Sequence, residues 1–442
     1  MLDFIKFISP SWYFNKNIKY SIPYFVDYTF LKESEFEHCD FFVGYSNDIA
    51  KKMDIAFQLW TQGYITTDSS KKLFWVQSDF KLKDKYIFIS RFYKKHWTLV
   101  VLFLRILELN NPLNEMIAFI QARKTKRIIT NFNFNYEINK GLSNLKFENP
   151  LVSVIIPTLN RYQYLIDVMK DLDKQSYKNF EVIVFDQSEP FRQEFYENWN
   201  FNLRIVKQKE KALWLARNSA IKISKGQLIL LYDDDSLVEK DWILNHIKCL
   251  DYFNCEISSG VSISVVGAQV PKHYSYFRWS DQIDTGNVML KREVFERIGL
   301  FDRQFEGQRM GDGEFGMRAY LSGFKNISNP LSKRVHLKVS EGGLRQMGSW
   351  DAWRPKNIFA PRPIPSVLYL TRKYFGTKAA VFDIIVSVFT SVVPYRFKRN
   401  NKLVLFGVFI GILFSPFLLI SVIRSWRLAT IKLEQGDRIE YL

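Results

Sequence analysis

Leu228–Tyr232 (LILLY) is an uninterrupted apolar run, bounded by Gly226 before it and by Asp233, Asp234 and Asp235 after it. A run of that length and texture reads as a strand buried on both faces of a parallel sheet. Three similar runs precede it: Leu151–Pro157, Phe180–Phe185 and Leu203–Val206. Helical stretches over Tyr162–Gln175 and Lys211–Ser224 separate them, with short connections. Strand and helix in alternation predict βαβ units, right-handed crossovers and an α/β layer architecture.

In an open α/β sheet, ligands bind just beyond the carboxyl ends of the strands, where Asp233, Asp234 and Asp235 fall. Three adjacent carboxylates repel one another. A hard divalent cation would relieve that repulsion and hold a phosphate-bearing substrate. The plainer alternative is a polar turn, with Asp235 or Ser236 capping a helix that begins near Lys240.

Length and charge narrow the field. A chain of 442 residues is too long for one ordinary core, so two or three parts are expected. The net charge is +17, and Leu331–Leu442 carries +12 of it, 18 Lys/Arg against 6 Asp/Glu. Such an excess suits nucleic acid, anionic lipid or a diphosphate substrate. Blocks of consecutive basic residues are lacking and the cleft is acidic, so nucleic acid is not an expected partner. Cys39, Cys249 and Cys255 form no Cys-x-x-Cys pair and read as small buried residues of a reducing compartment. Met1–Lys6 lacks the features of a signal peptide, which leaves the bulk of the chain in the cytosol.

Residues 1–148 read as an accessory region of mixed α/β character. Short strands are expected at Leu73–Val76 and Tyr86–Ile89, then a packed helix over Trp97–Leu109 and another from Leu113. At Asn149-Pro150 the texture changes to that of the α/β domain, which is expected to run to residue 345.

Several segments carry a resemblance in one order: residues 152–161 (VSVIIPTLNR), 179–186 (NFEVIVFD), 216–220 (ARNSA), 231–235 (LYDDD), 286–289 (GNVM), 298–302 (IGLFD) and 311–318 (GDGEFGMR). They resemble family 2 glycosyltransferases over about 190 residues. The resemblance implies a GT-A fold, a Rossmann-like, mostly parallel sheet that binds a nucleotide sugar and Mg²⁺ or Mn²⁺. It places Pro157, Thr158, Asn160 and Arg161 near the nucleotide, with Asp186 accepting a hydrogen bond from the base. Arg217 would face the diphosphate with Asn218 beside it, although an Arg on a helix face is commonly just solvated. Asp233 and Asp234 would line the donor site. Asp235, with Asp233 and His336, would hold the metal, Asp233 alternatively reaching the ribose or a water. The acceptor needs a base; where the family carries Glu-Asp, this chain has Gly311-Asp312, so Asp312 is the expected base and Glu314 the alternative. Asp312 also fits an N-cap of a helix over Gly313–Ser322. A loop closing over the site is expected at Ser340–Trp350.

The function implied is a metal-dependent, inverting transfer of a hexosyl or deoxyhexosyl group to a cell-envelope polysaccharide or lipid-diphosphate-linked precursor. A catalytically silent GT-A module that binds glycans is the alternative from another class, supported by the missing acid at Gly311. A nucleotidyltransferase is disfavoured because no Gly-rich, Lys-bearing loop follows the first strand.

Residues 346–442 read as a basic helical region. Leu403–Ile423 is 21 residues without a charge, about 31 Å as one helix, enough for a hydrocarbon core of about 30 Å. Pro416 interrupts it, and basic residues flank both ends, which equally suits a kinked hairpin embedded at the cytoplasmic surface. Ala379–Val393 would lie against the same membrane. The alternative is a helix buried against the α/β domain.

Overall fold

The computed structural model describes the chain apart from residues 17, 19, 139–147, 266–269, 282, 340–342, 344–351, 355–356, 358–359, 395–396 and 398–400. The chain forms two compact units, one of residues 1–135 with 371–386, the other of 136–370 with 387–442. Residues 346–442 are therefore not a region of their own. The helical segment Pro365–Ser387 contributes to both units and is interrupted at Gly376 (φ 87°).

The first unit is helical rather than mixed. Its main helices are Asp48–Thr61, Leu82–Phe92, Lys95–Leu107 and Pro112–Ala122, and its β content among the described residues is a single bridge between Val26 and Lys72. Leu73–Val76 is irregular, and Tyr86–Ile89 lies inside Leu82–Phe92. Tyr86, Ile87, Phe88 and Ile89 are all buried. Four apolar residues in a row do not distinguish a helix enclosed on all sides from a strand, and here the surrounding helices decide. The helices expected near Trp97 and Leu113 are both present, the second capped by Asn111, whose side chain accepts from the amides of Leu113 and Asn114.

The second unit is built on one nine-stranded sheet. Its strands are β1 (Val152–Thr158), β2 (Phe180–Asp186), β3 (Asn202–Lys207), β4 (Leu228–Tyr232), β5 (Ser236–Val238), β6 (Ile257–Ser264), β7 (Arg278–Trp279), β8 (Asn287–Lys291) and β9 (Asn326–His336). The order is β3-β2-β1-β4-β8-β6-β9-β5, with β7 on β9. The first four strands are parallel, as the alternation predicts, and every residue of β1, β2 and β4 is buried. Beyond β4 the sheet turns mixed: β8 is antiparallel to β4 and β6, and β5 and β7 are antiparallel to β9. "Mostly parallel" thus holds only for the first half. The second half grows by strands of two to eleven residues, whose pairing no local pattern dictates.

Leu403–Ile423 is not one helix. The chain bends by 82° between Lys402–Leu413 and Ser415–Gln435, and among the described residues no single helix is long and apolar enough to cross a membrane. Pro416 explains the break, since it sits in the first turn of the second helix, where its missing amide is harmless, and could not continue the first. The first helix packs through Gly407 and Gly411, which lie close against Val393 and Phe389. Its outer face leaves Leu405, Phe406, Phe409 and Leu413 exposed. Residues 436–442 then run as an extended tail along Gly299–Gln304: Leu300 N donates to Glu440 O at 2.7 Å and Arg438 N to Asp302 Oδ1 at 3.0 Å.

Candidate active site

Two sheet registers assemble the acidic cluster. Thr158 lies opposite Asp186 at the ends of β1 and β2, and Asp233 follows the last residue of β4 between them and β8. Ser236 pairs with His336, which brings the end of β9 beside Asp235. Asp234 and Asp235 do form a turn, but neither Asp235 nor Ser236 caps a helix. Asp235 precedes a strand, and the following helix starts at Trp242 after Asp241, with no side-chain cap.

Asp233, Asp235 and His336 are buried, and one ligand atom from each lies within 4.8 Å of the others. His336 Nε2 stands 3.4 Å from Asp235 Oδ1. Burial opposes ionisation of Asp235, but the imidazole and the Arg161 guanidinium hold its carboxyl below the usual range. Two carboxylate oxygens and an imidazole nitrogen suit a divalent ion. Asp233, however, is already engaged on both oxygens, by Arg217 Nη2 at 2.8 Å and Arg334 Nη1 at 2.7 Å. The residues fit a cation held chiefly by Asp235 and His336, with Asp233 oriented beside it.

The middle acid does different work. Asp234 accepts from Thr158 Oγ1 at 2.8 Å and Arg161 Nη1 at 2.9 Å. Burial pushes its carboxyl up to about 6 despite the pull of Arg161. Arg161 also reaches Asp235 Oδ2 at 3.2 Å, so one guanidinium spans two of the three acids. Asn160, in the left-handed region at φ 52°, ties its loop to the next one through Glu189 N and Ser188 Oγ. Pro157 pairs with Phe185, one residue before the end of β1.

Three expected donor contacts are satisfied within the protein. Asp186 is fully buried and accepts from Tyr162 Oη (2.5 Å), Tyr196 Oη (2.8 Å) and Ser188 N (2.8 Å). Asn218 braces Phe301 through both its amide and its carbonyl. Arg217 is buried, not solvated, and donates to Asp233 and to Thr285 O.

The two candidate bases separate clearly. Asp312 lies in the first turn of Gly311–Leu321, half-buried, with Gly313 N donating to its Oδ1. The N-cap is Met310, held at φ 80°, a strained conformation for a side-chain-bearing residue. Glu314 is fully buried and clasped by Arg318 Nε at 2.9 and 3.0 Å. Arg318 in turn donates to the carbonyl of Leu300 at 2.8 Å. Glu314 thus braces its helix, which leaves Asp312 as the accessible carboxylate. At position 311 an added Cβ would meet the Trp214 indole at 2.4 Å, so an aromatic fills the space where the family resemblance implies an acid. Trp214 also underlies the Arg217 guanidinium, 5.3 Å from its ring, and so connects the helix of Asp312 to the acidic cluster.

Sequence reasoning missed Arg334 and Asp284. Arg334 is buried and joins Asp233, both oxygens of Asp284 at 2.9 Å, Ser236 and Ser262. One signal was available: Arg334 precedes His336 by two, so on a strand both face the same side. Asp284 had none. The loop Ser340–Trp350 lies, Gly343 apart, outside the described residues.

Residues 153–311 match the glycosyl transferase family 2 model. Glycosyltransferase GlyG of Streptococcus pneumoniae serotype 4 is 22% identical over 192 residues, 42% of this chain and 59% of that protein. The amylovoran biosynthesis glycosyltransferase AmsB of Erwinia amylovora is 28% identical over 278 residues, 57% of this chain and 85% of its own. Among solved structures, S. aureus TarS 1–349 in complex with UDP-GlcNAc aligns with a TM-score of 0.43 at 16% identity, over 64% of this chain and 92% of that one. The chain thus spans a little over half the length of GlyG and most of AmsB. Over residues 153–311, a little over a third of its length, the chain is similar to glycosyltransferase family 2.

Proposed function

We propose that this chain transfers one sugar from a nucleotide-sugar donor to a hydroxyl of a cell-envelope glycan or lipid-linked precursor, with inversion and with a divalent cation. The observation that carries the reading is the convergence of Asp233, Asp235 and His336 beyond the carboxyl end of β4. When bound there, the cation would neutralise charge on the donor diphosphate and on the departing nucleoside diphosphate. Asp312 takes the proton from the acceptor oxygen as that oxygen bonds to the anomeric carbon and the bond to phosphate breaks. Arg217 and Arg334 fix Asp233, and Arg161 fixes Asp234 and Asp235, so the acids do not reorganise when charge moves.

The same proposal sets the enzyme at the cytoplasmic face of a membrane through its C-terminal helices. Their exposed apolar side chains, with Lys402, Arg424 and Arg427 exposed alongside, support it. The bend suits helices lying in the interface better than a single span.

Asp235→Asn tests the metal site. Mn²⁺ affinity, read by calorimetry or paramagnetic resonance, should weaken about 10-fold or more, with transfer from a panel of nucleotide sugars lost in parallel. Unchanged Mn²⁺ binding and turnover in the presence of EDTA would refute it.

A further inference from the structure

We propose that the helical hairpin Lys95–Leu107 and Pro112–Ala122 is a second lipid-docking face, one that lays its outer surface on an anionic membrane. The evidence is apolar surface left outward on both helices. In Pro112–Ala122 the buried positions are Glu115, Ala118 and Ala122, whereas Leu113, Met116, Ile117 and Ile120 are exposed. The exposed set has i, i+3, i+4, i+7 spacing, so it forms one stripe on one face. Lys95–Leu107 buries Val101, Leu102 and Leu104, yet still leaves Leu99, Phe103 and Leu107, each at least half exposed, at i, i+4, i+8. Leu109 between them is 93% exposed. Scattered surface leucines need no explanation, but apolar stripes on two adjoining helices are of the kind that marks an interaction surface.

Charge identifies the occupant. The exposed ionisable groups bordering the patch are cationic: Lys94 and Lys95 at one end, Arg123, Lys124, Lys126 and Arg127 at the other. The two acids of this stretch are turned away from it. Glu115 is buried and bound by Arg105 Nη2 (2.6 Å) and Tyr86 Oη (2.7 Å), and Glu108 pairs with Lys6 and Arg105. An apolar stripe rimmed by lysine and arginine, with its carboxylates sequestered, matches acyl chains beneath anionic headgroups. A second copy of this chain is a poorer match, because two such faces brought together would oppose cation to cation.

The inference stands beside the C-terminal membrane contact proposed above and shares its premise that the enzyme works at a bilayer, so the test separates the two surfaces. All three native cysteines are buried, so a polarity-sensitive thiol dye reports on an introduced one. Full-length Ile117→Cys and, separately, Phe409→Cys would be labelled and mixed with vesicles of phosphatidylcholine alone or with phosphatidylglycerol. The dye at position 117 should shift to the blue with the anionic vesicles only, and high salt should weaken the shift. Phe103→Glu with Ile117→Glu should reduce partitioning onto those vesicles ~10-fold or more, since each side chain contributes a Phe- or Ile-sized burial. A shift at 117 without one at 409 would sustain this face and remove the C-terminal one. A shift at 409 while 117 stays in water would overturn this proposal alone, and silence at both would end both. A dye at 117 that is already shielded before vesicles are added, in a monomer or a dimer, would also overturn it.

Discussion

At the scale of single residues, close approach decides the site. The ion pair between Arg334 and Asp233 passes directly over Gly286, where an added Cβ would lie 2.0 Å from Arg334 Nη1 and 2.2 Å from Asp233 Oδ2. No side chain can occupy that position without displacing a buried, doubly bonded carboxylate. Gly286→Ala should therefore cost about 3 kcal/mol of stability, the scale of a broken buried pair, and weaken Mn²⁺ binding as Asp233 moves. Denaturant titration showing less than about 0.5 kcal/mol, the scale of an ordinary surface substitution, would mean the pair relaxes freely. Asp312 and Glu314 should part in the same experiment. Glu314→Gln should destabilise by a similar amount, about 3 kcal/mol, because it takes the charge from the buried partner of half-buried Arg318. Asp312→Asn should leave stability intact and lower transfer by roughly two to four orders of magnitude. The reverse pattern would move the base to Glu314.

At the scale of elements, what matters is which strand ends meet and what ties them. β5 is three residues long, yet its register with β9 is what delivers His336 to Asp235. The tail does comparable work on the other side of the domain. Glu440 and Arg438 pair their backbones with Leu300 and Arg303, and Tyr369 Oη lies 3.1 Å from Asp302 and 3.0 Å from Asp437. Asp302 thereby joins the tail to the segment that leads into Met310 and Asp312. A chain ending at Gln435 should lose about 4 kcal/mol, taking roughly 1 kcal/mol for each bond that Asp437, Arg438 and Glu440 make to Tyr369, Asp302, Arg303 and Leu300. For a domain of this size that corresponds to a melting point lower by ~10 °C. Calorimetry on the shortened chain checks this, and an unchanged melting point would show that the tail merely rests on the surface.

At the scale of the whole molecule, pH reads the polar hub behind the sheet. His246 is fully buried between Ser258 (2.9 Å) and Asn287 (3.1 Å), and burial holds its imidazole down to about 4 despite those bonds. The unfolded chain binds that proton near 6.5, so between 6.5 and 4 the unfolded state carries more protons than the folded one. Stability from this group is complete above about pH 6.5 and declines as pH falls through that window. The loss at pH 5 should be about 2 kcal/mol. Unfolding free energies at pH 7.5 and 5, compared with His246→Gln, isolate this share. Equal pH slopes in the two proteins would show that His246 is not its source.

The sequence by itself determined the parallel half of the sheet, the position of the acids beyond β4 and the helices around them. Strand-length apolar runs with short helical connections admit one arrangement, and the residues just past such strands must meet at its edge. It also singled out Asp235 and His336, which the structure brings together. Only the tertiary structure decided which polar side chains are already spoken for. Asp233, Asp186, Asn218 and Glu314 look as available in sequence as Asp235 and Asp312, but their partners are Arg334, Tyr196, Phe301 and Arg318. Arg334 and Phe301 lie 101 and 83 residues from their partners, and no local pattern records such pairings. The same holds for Tyr86–Ile89, where enclosure by other helices overrode a strand-like run, and for Leu113–Ile120, whose apolar face turns outward. Periodicity states that a helix has two faces; only the packing of the rest of the chain states which of them is covered.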